Sequence, residues 1–391
     1  MDSRWTALIV LTAARASMGF QFQSLASVSP LLVREFGIGY ADIGFLIGLY
    51  MPPGIALALP GSALGQRFGD KRVVAVGLIL MAVGGALSGF AETYPVLVAG
   101  RLIAGIGATL LNVLMSKMIA DWFAAREIRL AMAVFVNSFP IGVGLALLSL
   151  GTAADAFGWP VAFHATTAAA FAAWLLVTFV YRPHPNDGKA SASGPRRISR
   201  HEIALISIAG AIWGIYNGAF AITFGFAPNL LVETGLTIGA AGSLLSLAAW
   251  LIVASVQVGG IVSQRWGHPI ALMLLGTGGW GLGLLALPTV DPVPVVIVIG
   301  LLQGLPVGVI MALPAEVLRP ESRAIGMGLF YTWLYMGHAG LPPAAGWIQD
   351  LTGKAAAPIY FAGALVLSTL LLFALARRLQ TRALQSAPLS A

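Results

Sequence analysis

Twelve runs of about twenty predominantly apolar residues follow one another along the chain, at approximately 7–33, 41–63, 73–91, 95–118, 130–152, 159–181, 203–227, 239–262, 270–288, 293–314, 325–345 and 358–377. Each is long enough to cross the hydrocarbon core of a bilayer as a helix, which takes about 20 residues. Backbone polar groups inside lipid must find partners within the protein, so repeated spans of this length restrict the chain to an all-α membrane protein. Composition agrees: 58% of the 391 residues are hydrophobic and 9% are charged, with a mean hydropathy of +0.88. A soluble domain carries roughly 25% charged residues. This chain has too little charge to cover a water-facing surface, so the lipid bilayer is its main partner. The first run, Ala7 to Val33, is too long for a signal-peptide apolar region and lacks a small-residue cleavage site, and is read as the first crossing.

The formal charge of +7 raises the question of nucleic acid, but the basic residues lie in short clusters between apolar runs rather than on one face of a soluble domain, and no nucleic-acid partner is expected. There are no cysteines, so disulfides and thiolate metal sites are excluded. The placement of Lys and Arg sets the orientation. With the N-terminus cytoplasmic, clusters such as Arg67, Lys71 and Arg72, then Lys117, Arg126 and Arg129, then Arg377, Arg378 and Arg382 all fall on the cytoplasmic side. The opposite side receives only Arg34 and Lys354, so both termini are expected in the cytoplasm. Arginine outnumbers lysine and alanine is abundant, a usage of GC-rich bacteria, which makes a bacterial inner membrane the expected location.

One long polar stretch, rich in Pro, Gly and Ser, reads as a cytoplasmic linker over 182–202. It divides the chain into an N-terminal six-helix bundle over 1–181 and a C-terminal one over 203–378, followed by a cytoplasmic tail over 379–391. The two halves repeat each other. At an offset of 198, Pro30, Glu35, Gly37, Gly44 and Gly61 match Pro228, Glu233, Gly235, Gly242 and Gly259, and Gln66-Arg67-Phe68-Gly69 matches Gln264-Arg265-Trp266-Gly267. Later the offset becomes 195, and Asp121, Phe135, Gly151, Asp155 and Gly158 match Glu316, Phe330, Gly346, Asp350 and Gly353. Six is even, so both halves keep one orientation, a parallel six-plus-six repeat.

The loop after the second run reads Gly61-Ser62-Ala63-Leu64-Gly65-Gln66-Arg67-Phe68-Gly69-Asp70-Lys71-Arg72. With this loop, its weaker copy at Gly259 to Gly267, and Arg101, Gly105, Gly107 and Ala108 in the fourth run, the chain resembles the major facilitator superfamily over essentially its whole length. Gln66 stands where the family usually has Asp, and Asp70 where it usually has a basic residue. The resemblance implies two six-helix bundles flanking a central cavity, a secondary transporter of a small solute working by alternating access, and a functional monomer. It also implies that crossings 1, 4, 7 and 10 line the cavity, with 2, 5, 8 and 11 flanking it. Arg67 and Arg265 end the second and eighth runs, and Asp121 and Glu316 the fourth and tenth, all on the cytoplasmic side. Charge-assisted bonds there can close a gate that breaks on opening. Alternatively these charges serve only topology.

No carboxylate lies at mid-membrane, which argues against a cationic substrate and a carboxylate proton relay. Arg15 lies inside the first run instead. A charge at the centre of a membrane helix costs roughly 2.5–3.5 kcal/mol on insertion scales, so it faces a cavity, or else snorkels to headgroups. Gly19, Gln23 and Ser27 continue its face and suit a watery path. Arg101 is read as a helix-packing residue, with proton coupling as the other reading. On the expected cavity crossings, Tyr50, Asn112, Asn137, Tyr216, Asn217, Tyr335 and His338 join Arg15 and Gln23 as candidate substrate ligands, each weighed against plain helix packing. One cationic residue with neutral hydrogen-bond partners points to a small anion, a monocarboxylate or an inorganic anion. Export of hydrophobic compounds is the alternative within the transporter class, and a non-transporting receptor or intramembrane enzyme lies outside it. No metal-ligand spacing, nucleophile–base set or phosphate loop stands out, so no cofactor and no enzymatic activity are expected.

Overall fold

A computed structural model describes residues 3–123, 127–185, 198–319 and 322–386. The middle of the expected linker (186–197), Arg126, and the end of the expected tail (387–391) lie outside the described residues. Crossing 1 is α1 (Ser3–Ser27) continued by α2 (Ser29–Phe36), and crossing 2 is α3 (Tyr40–Gly48) with α4 (Pro53–Phe68). Then come α5 (Asp70–Gly89), α6 (Tyr94–Trp122), α7 (Ile128–Phe157) and α8 (Pro160–Leu175), the last ending in a π-turn. The second half runs α9 (Arg200–Glu233), α10 (Ile238–Trp266), α11 (Pro269–Ala286), α12 (Pro292–Gln303) with α13 (Val307–Val317), α14 (Arg323–Thr352) and α15 (Ala356–Ser386). These are the twelve crossings of an all-α membrane fold, six in each half.

Ten helical stretches among the described residues are long and apolar enough to span a bilayer. The other two crossings, α1 with 25 residues and α14 with 30, have the length but fall short in apolarity. They are also the two that carry Arg15 and Gln23, and Tyr335 and His338. The polarity that weakens them as membrane spans is the polarity of the candidate site.

Several helices extend past the expected runs, α6 to Trp122 and α9 to Glu233 among them. Proline decides where they break. Crossing 2 is interrupted ahead of Pro53, and crossing 10 between Gln303 and Val307, around Gly304 and Pro306. Pro228 in α9 and Pro342 and Pro343 in α14 leave their helices continuous. Neighbouring helices can shelter the groups a proline leaves unbonded. α15 runs on to Ser386, so the first part of the expected tail is helical.

The repeat is written into the backbone. The glycines with positive φ are Gly37 and Gly235, Gly69 and Gly267, Gly158 and Gly353, which are matched pairs of the two halves. A side chain there would be strained, so each pair marks a turn that only glycine makes at low cost.

The halves meet along two equivalent seams, α3 against α14 and α7 against α10. A side-chain carbon at Gly44 would overlap the Pro342 carbonyl, and one at Gly242 the Leu147 carbonyl, which are repeat-related contacts. The hydrogen bonds between halves lie towards the face opposite the termini, or at mid-depth. Gln23 Nε2 donates to the Phe224 carbonyl (2.7 Å), the Tyr40 hydroxyl to Asn229 Oδ1 (2.8 Å) and Ser246 Oγ to the Gly144 carbonyl (2.8 Å). Among the described residues, the ion pairs on the face that carries the termini all stay within one half. Among the described residues, the hydrogen bonds that tie the two halves together therefore lie on the far face and at mid-depth, and none lies on the terminal face.

Candidate functional site

Arg15 sits on α1, half-buried, where the two halves face each other. Its guanidinium carbon lies 4.7 Å from the centre of the Phe135 ring on α7. Tyr331 and Tyr335, one turn apart on α14 of the opposite half, act on it electrostatically. The Asn112 side chain on α6 lies close enough to the Tyr335 hydroxyl to act on it electrostatically. The Tyr335 ring lies over Gly54 of α4, where any side-chain carbon would strike it. Five helices from both halves thus meet around the neighbours Arg15 and Tyr335. The Arg15 Nε is buried without a partner, and among the described residues Arg15 has no hydrogen bond and no carboxylate. A guanidinium so placed is desolvated and unneutralised, so it favours a small anion presented to its outer nitrogens.

The Arg15 guanidinium lies over the Phe135 ring of α7 and within electrostatic reach of Tyr331 and Tyr335 of α14. The stripe above it is not an open path here. Gly19 abuts the Phe139 carbonyl, Gln23 is spent on Phe224, and Ser27 bonds back to the Gln23 carbonyl. The halves have closed over this end of α1.

The remaining candidates divide sharply. Asn112 and Tyr335 join Arg15. His338 is buried one turn further on, with Nδ1 3.3 Å from the Leu334 carbonyl and its ring edge-on to Phe22 across the seam. Asn137 is buried on α7 and makes no hydrogen bond among the described residues. Tyr50 and Tyr216 face away from the seam, contrary to the expectation. Tyr50 is fully buried in the N-terminal half, bonded to Gln21 Oε1 (3.2 Å). Tyr216 donates to the Gln303 carbonyl (2.6 Å) and packs on Trp213 and Trp280. Both occupy the interior of their own bundle, because an aromatic with a single polar tip packs well wherever one carbonyl is within reach. Asn217 bonds back to the Trp213 carbonyl of its own helix.

Arg101 is the opposite of Arg15. It is 2% exposed, and each nitrogen of its fork donates to a main-chain carbonyl: Nε to Leu46 (3.0 Å), Nη1 to Gln21 (3.0 Å) and Nη2 to Phe22 (2.8 Å). The Tyr50 ring covers its face at 4.4 Å. One side chain on α6 thereby fastens α1 and α3, the geometry of the packing reading.

The expected gate pairs, Arg67 with Asp121 and Arg265 with Glu316, are not formed in this conformation. Asp121 bonds to Lys117 (3.2 Å), which also bonds to Asp70. Glu316 pairs with Arg377 of α15 (2.8 Å). Arg67 lies over the Phe68 ring, and Arg265 is exposed. Each carboxylate has found a nearer cation within its own half. One of these pairs, and one further contact on this face, are legible in the sequence. Lys117 and Asp121 stand one helical turn apart, the spacing of an intrahelical pair. Ser199-Arg200-His201-Glu202 is a capping box. Glu202 closes it and also accepts from Arg319 Nη2 (2.9 Å) and Ser322 Oγ (2.6 Å), pinning the start of α9 to the turn before α14.

Twelve crossings, a parallel repeat and a polar site between the halves define a membrane carrier. Residues 11–227 and again 205–389 match the sequence model of the Major Facilitator Superfamily, so the chain belongs to that superfamily. It is 26% identical to the human monocarboxylate transporter 11, over 94% of this chain and 82% of that one. It is 28% identical to the multidrug efflux pump LfrA of Mycolicibacterium smegmatis, over 41% of this chain and 32% of the pump. Its fold is similar to the inward-open xylose transporter XylE of E. coli, with a TM-score of 0.78 at 14% identity over 95% of this chain and 96% of that one.

Proposed function

We propose that this protein is a secondary transporter that moves a small anion, of the monocarboxylate kind, by alternating access, and that Arg15 is the anion's principal ligand. The observation that carries the reading is a cation between the two halves with no counter-ion among the described residues. Anion and guanidinium together neutralise each other, so a loaded site crosses the low-dielectric middle of the bundle at lower cost than an empty one. Phe135 holds the guanidinium plane, Tyr331 and Tyr335 supply neutral polar groups near it, and Asn112 stands beside Tyr335. The similarity to a monocarboxylate transporter fits this reading, and the similarity to an efflux pump favours the runner-up, export of hydrophobic compounds.

The terminal face is the cytoplasmic one, on the strength of its basic residues, in a bacterial inner membrane. The structure then represents the carrier untied towards the cytoplasm. Closure of that face brings Arg67, Asp121, Arg265 and Glu316 together as a gate, at the expense of the pairs they make within each half. The carrier works as a monomer.

The test is a thermal-shift series in detergent with acetate, lactate, benzoate, nitrate and lipophilic cations, run on wild type and Arg15→Gln. Anions are expected to stabilise the wild type and to lose that effect in the variant. Proteoliposome uptake of the best anion should fall at least tenfold in Arg15→Gln at equal incorporation. Equal stabilisation of both proteins by anions, or stabilisation by lipophilic cations alone, would sink the reading and promote the efflux alternative.

A further inference from the structure

The two seams between the halves are related by the repeat, yet they are closed by different chemistry at the far face. At the first seam, Asp350 near the end of α14 reaches across to the start of α3. Its Oδ1 accepts the Tyr40 N–H and its Oδ2 the Ala41 N–H, both at 2.8 Å. Tyr40 also holds Asn229 of α9 through its hydroxyl (2.8 Å). Gly346, one turn before Asp350, lets α14 approach the Tyr40 carbonyl. Gly39 leaves the room the carboxylate occupies, since a side-chain carbon there would stand 2.7 Å from Asp350 Oδ2.

At the second seam the backbone does the same thing. Gly151 of α7, matched to Gly346, abuts Ile238 of α10, which is matched to Tyr40. The counterpart of Asp350 is Asp155. Asp155 is exposed and makes no hydrogen bond or ion pair among the described residues. Instead, α10 is capped from within its own chain: Thr237 Oγ1 accepts the Ala240 N–H (3.1 Å). Thr237 occupies the position matched to Gly39. A residue with its own capping oxygen stands where the first seam has a bare glycine; there Asp42 Oδ2 accepts the Gly39 N–H (3.2 Å), and the Tyr40 and Ala41 N–H groups are capped from the other half.

We propose that Asp350 is the latch of the far face: an interdomain helix cap whose release is required for the halves to part on that side. The proposal rests on the alternating-access reading. An anionic group at a helix N-terminus is stabilised by free N–H groups and by the helix dipole. Because the helix and the carboxylate belong to different halves, that stabilisation exists only while the far face is closed. When it opens, α3 loses two N–H partners to water, and α10 loses nothing, because its cap travels with it. The opening is therefore governed at one seam and not at the other.

The chain has no cysteines, so reporters can be introduced directly. Glu92→Cys and Val290→Cys place spin labels on exposed far-face loops of opposite halves, away from the latch. Distances are then measured by electron paramagnetic resonance in nanodiscs without any solute. Wild type is expected to show one dominant short distance. Asp350→Asn keeps the size and loses the charge, and should raise the ratio of the long-distance to the short-distance population by roughly fivefold or more. Gly39→Ala has an ordinary backbone angle (φ −84°) and leaves Asp350 in place, but crowds the carboxylate, and should lengthen the distance in the same way. Asp155→Asn should leave the distribution as in wild type. Unchanged distances in both Asp350→Asn and Gly39→Ala, with monodisperse protein, would overturn the latch, as would an equal shift in Asp155→Asn. The anion reading is tested by Arg15-dependent stabilisation instead, so the failure of either leaves the other measurement intact.

Discussion

The two halves share their turns and close approaches but differ in where their helices break and in how their interiors are bonded. In the N-terminal half, α6 is a continuous helix of 29 residues, and Arg101 on it is tied to three main-chain carbonyls of α1 and α3. In the C-terminal half the matching crossing is broken into α12 and α13, and no arginine stands in its middle. Around the break, both amide atoms of the Gln303 side chain and the Trp280 Nε1 are buried with no partner among the described residues. The repeat thus preserves turns, lengths and close approaches, while the polar interior has diverged. One half is fastened by a cation bonded to three carbonyls, and the other carries unsatisfied polarity beside a helix break. A body built this way has a stiff half and a half with more freedom at crossing 10.

The largest effect should come from loosening the stiff half. Arg101→Lys keeps the buried charge and loses the fork, so at least one carbonyl goes unpaired while the desolvation cost remains. Thermal unfolding in detergent is expected to show a loss of about 3 kcal/mol. In contrast, Gln303→Leu removes a buried amide that has no bonds to lose, and should leave stability unchanged or raise it slightly. If the two substitutions cost the same, the contrast between the interiors fails.

An intermediate effect is expected at the ion pairs that anchor the first helix of each half. Arg4 of α1 pairs with Glu127 (2.6 Å), and at the matching place Glu202 of α9 pairs with Arg319 (2.9 Å), with the signs exchanged. The Glu202 side chain is only 6% exposed, whereas Arg4 and Glu127 are 38% and 40% exposed. Glu202→Gln turns an acceptor towards a guanidinium into a donor, and should cost about 2 kcal/mol by thermal unfolding. The smallest effect should be that of Arg4→Ala, below about 1 kcal/mol, because a solvated pair is screened and flexible. A larger loss for Arg4→Ala than for Glu202→Gln would mean that exposure does not rank these two anchors.

Arg15 and Arg101 show where reading the chain stops. Both are arginines inside apolar runs, and their local sequences do not reveal that one is bonded to three carbonyls while the other makes no hydrogen bond among the described residues. Hydropathy and glycine positions act over a turn or a helix, so the crossings, the repeat and the matched turns are all legible from residue order. Even the capping box at Ser199 and the Lys117–Asp121 spacing are local signals of this kind. What a side chain in a crossing touches depends on helices brought alongside from far along the chain. Arg101 finds carbonyls of Gln21, Phe22 and Leu46, and Arg15 finds Tyr331 and Tyr335 of the other half. Tyr50 and Tyr216 went to the bundle interiors for the same reason, each captured by a partner on another crossing. The order of residues determined a repeated twelve-helix membrane bundle. Packing decided which of its polar groups face one another across the seam, because a buried donor goes to whichever acceptor the assembled helices leave within about 3 Å.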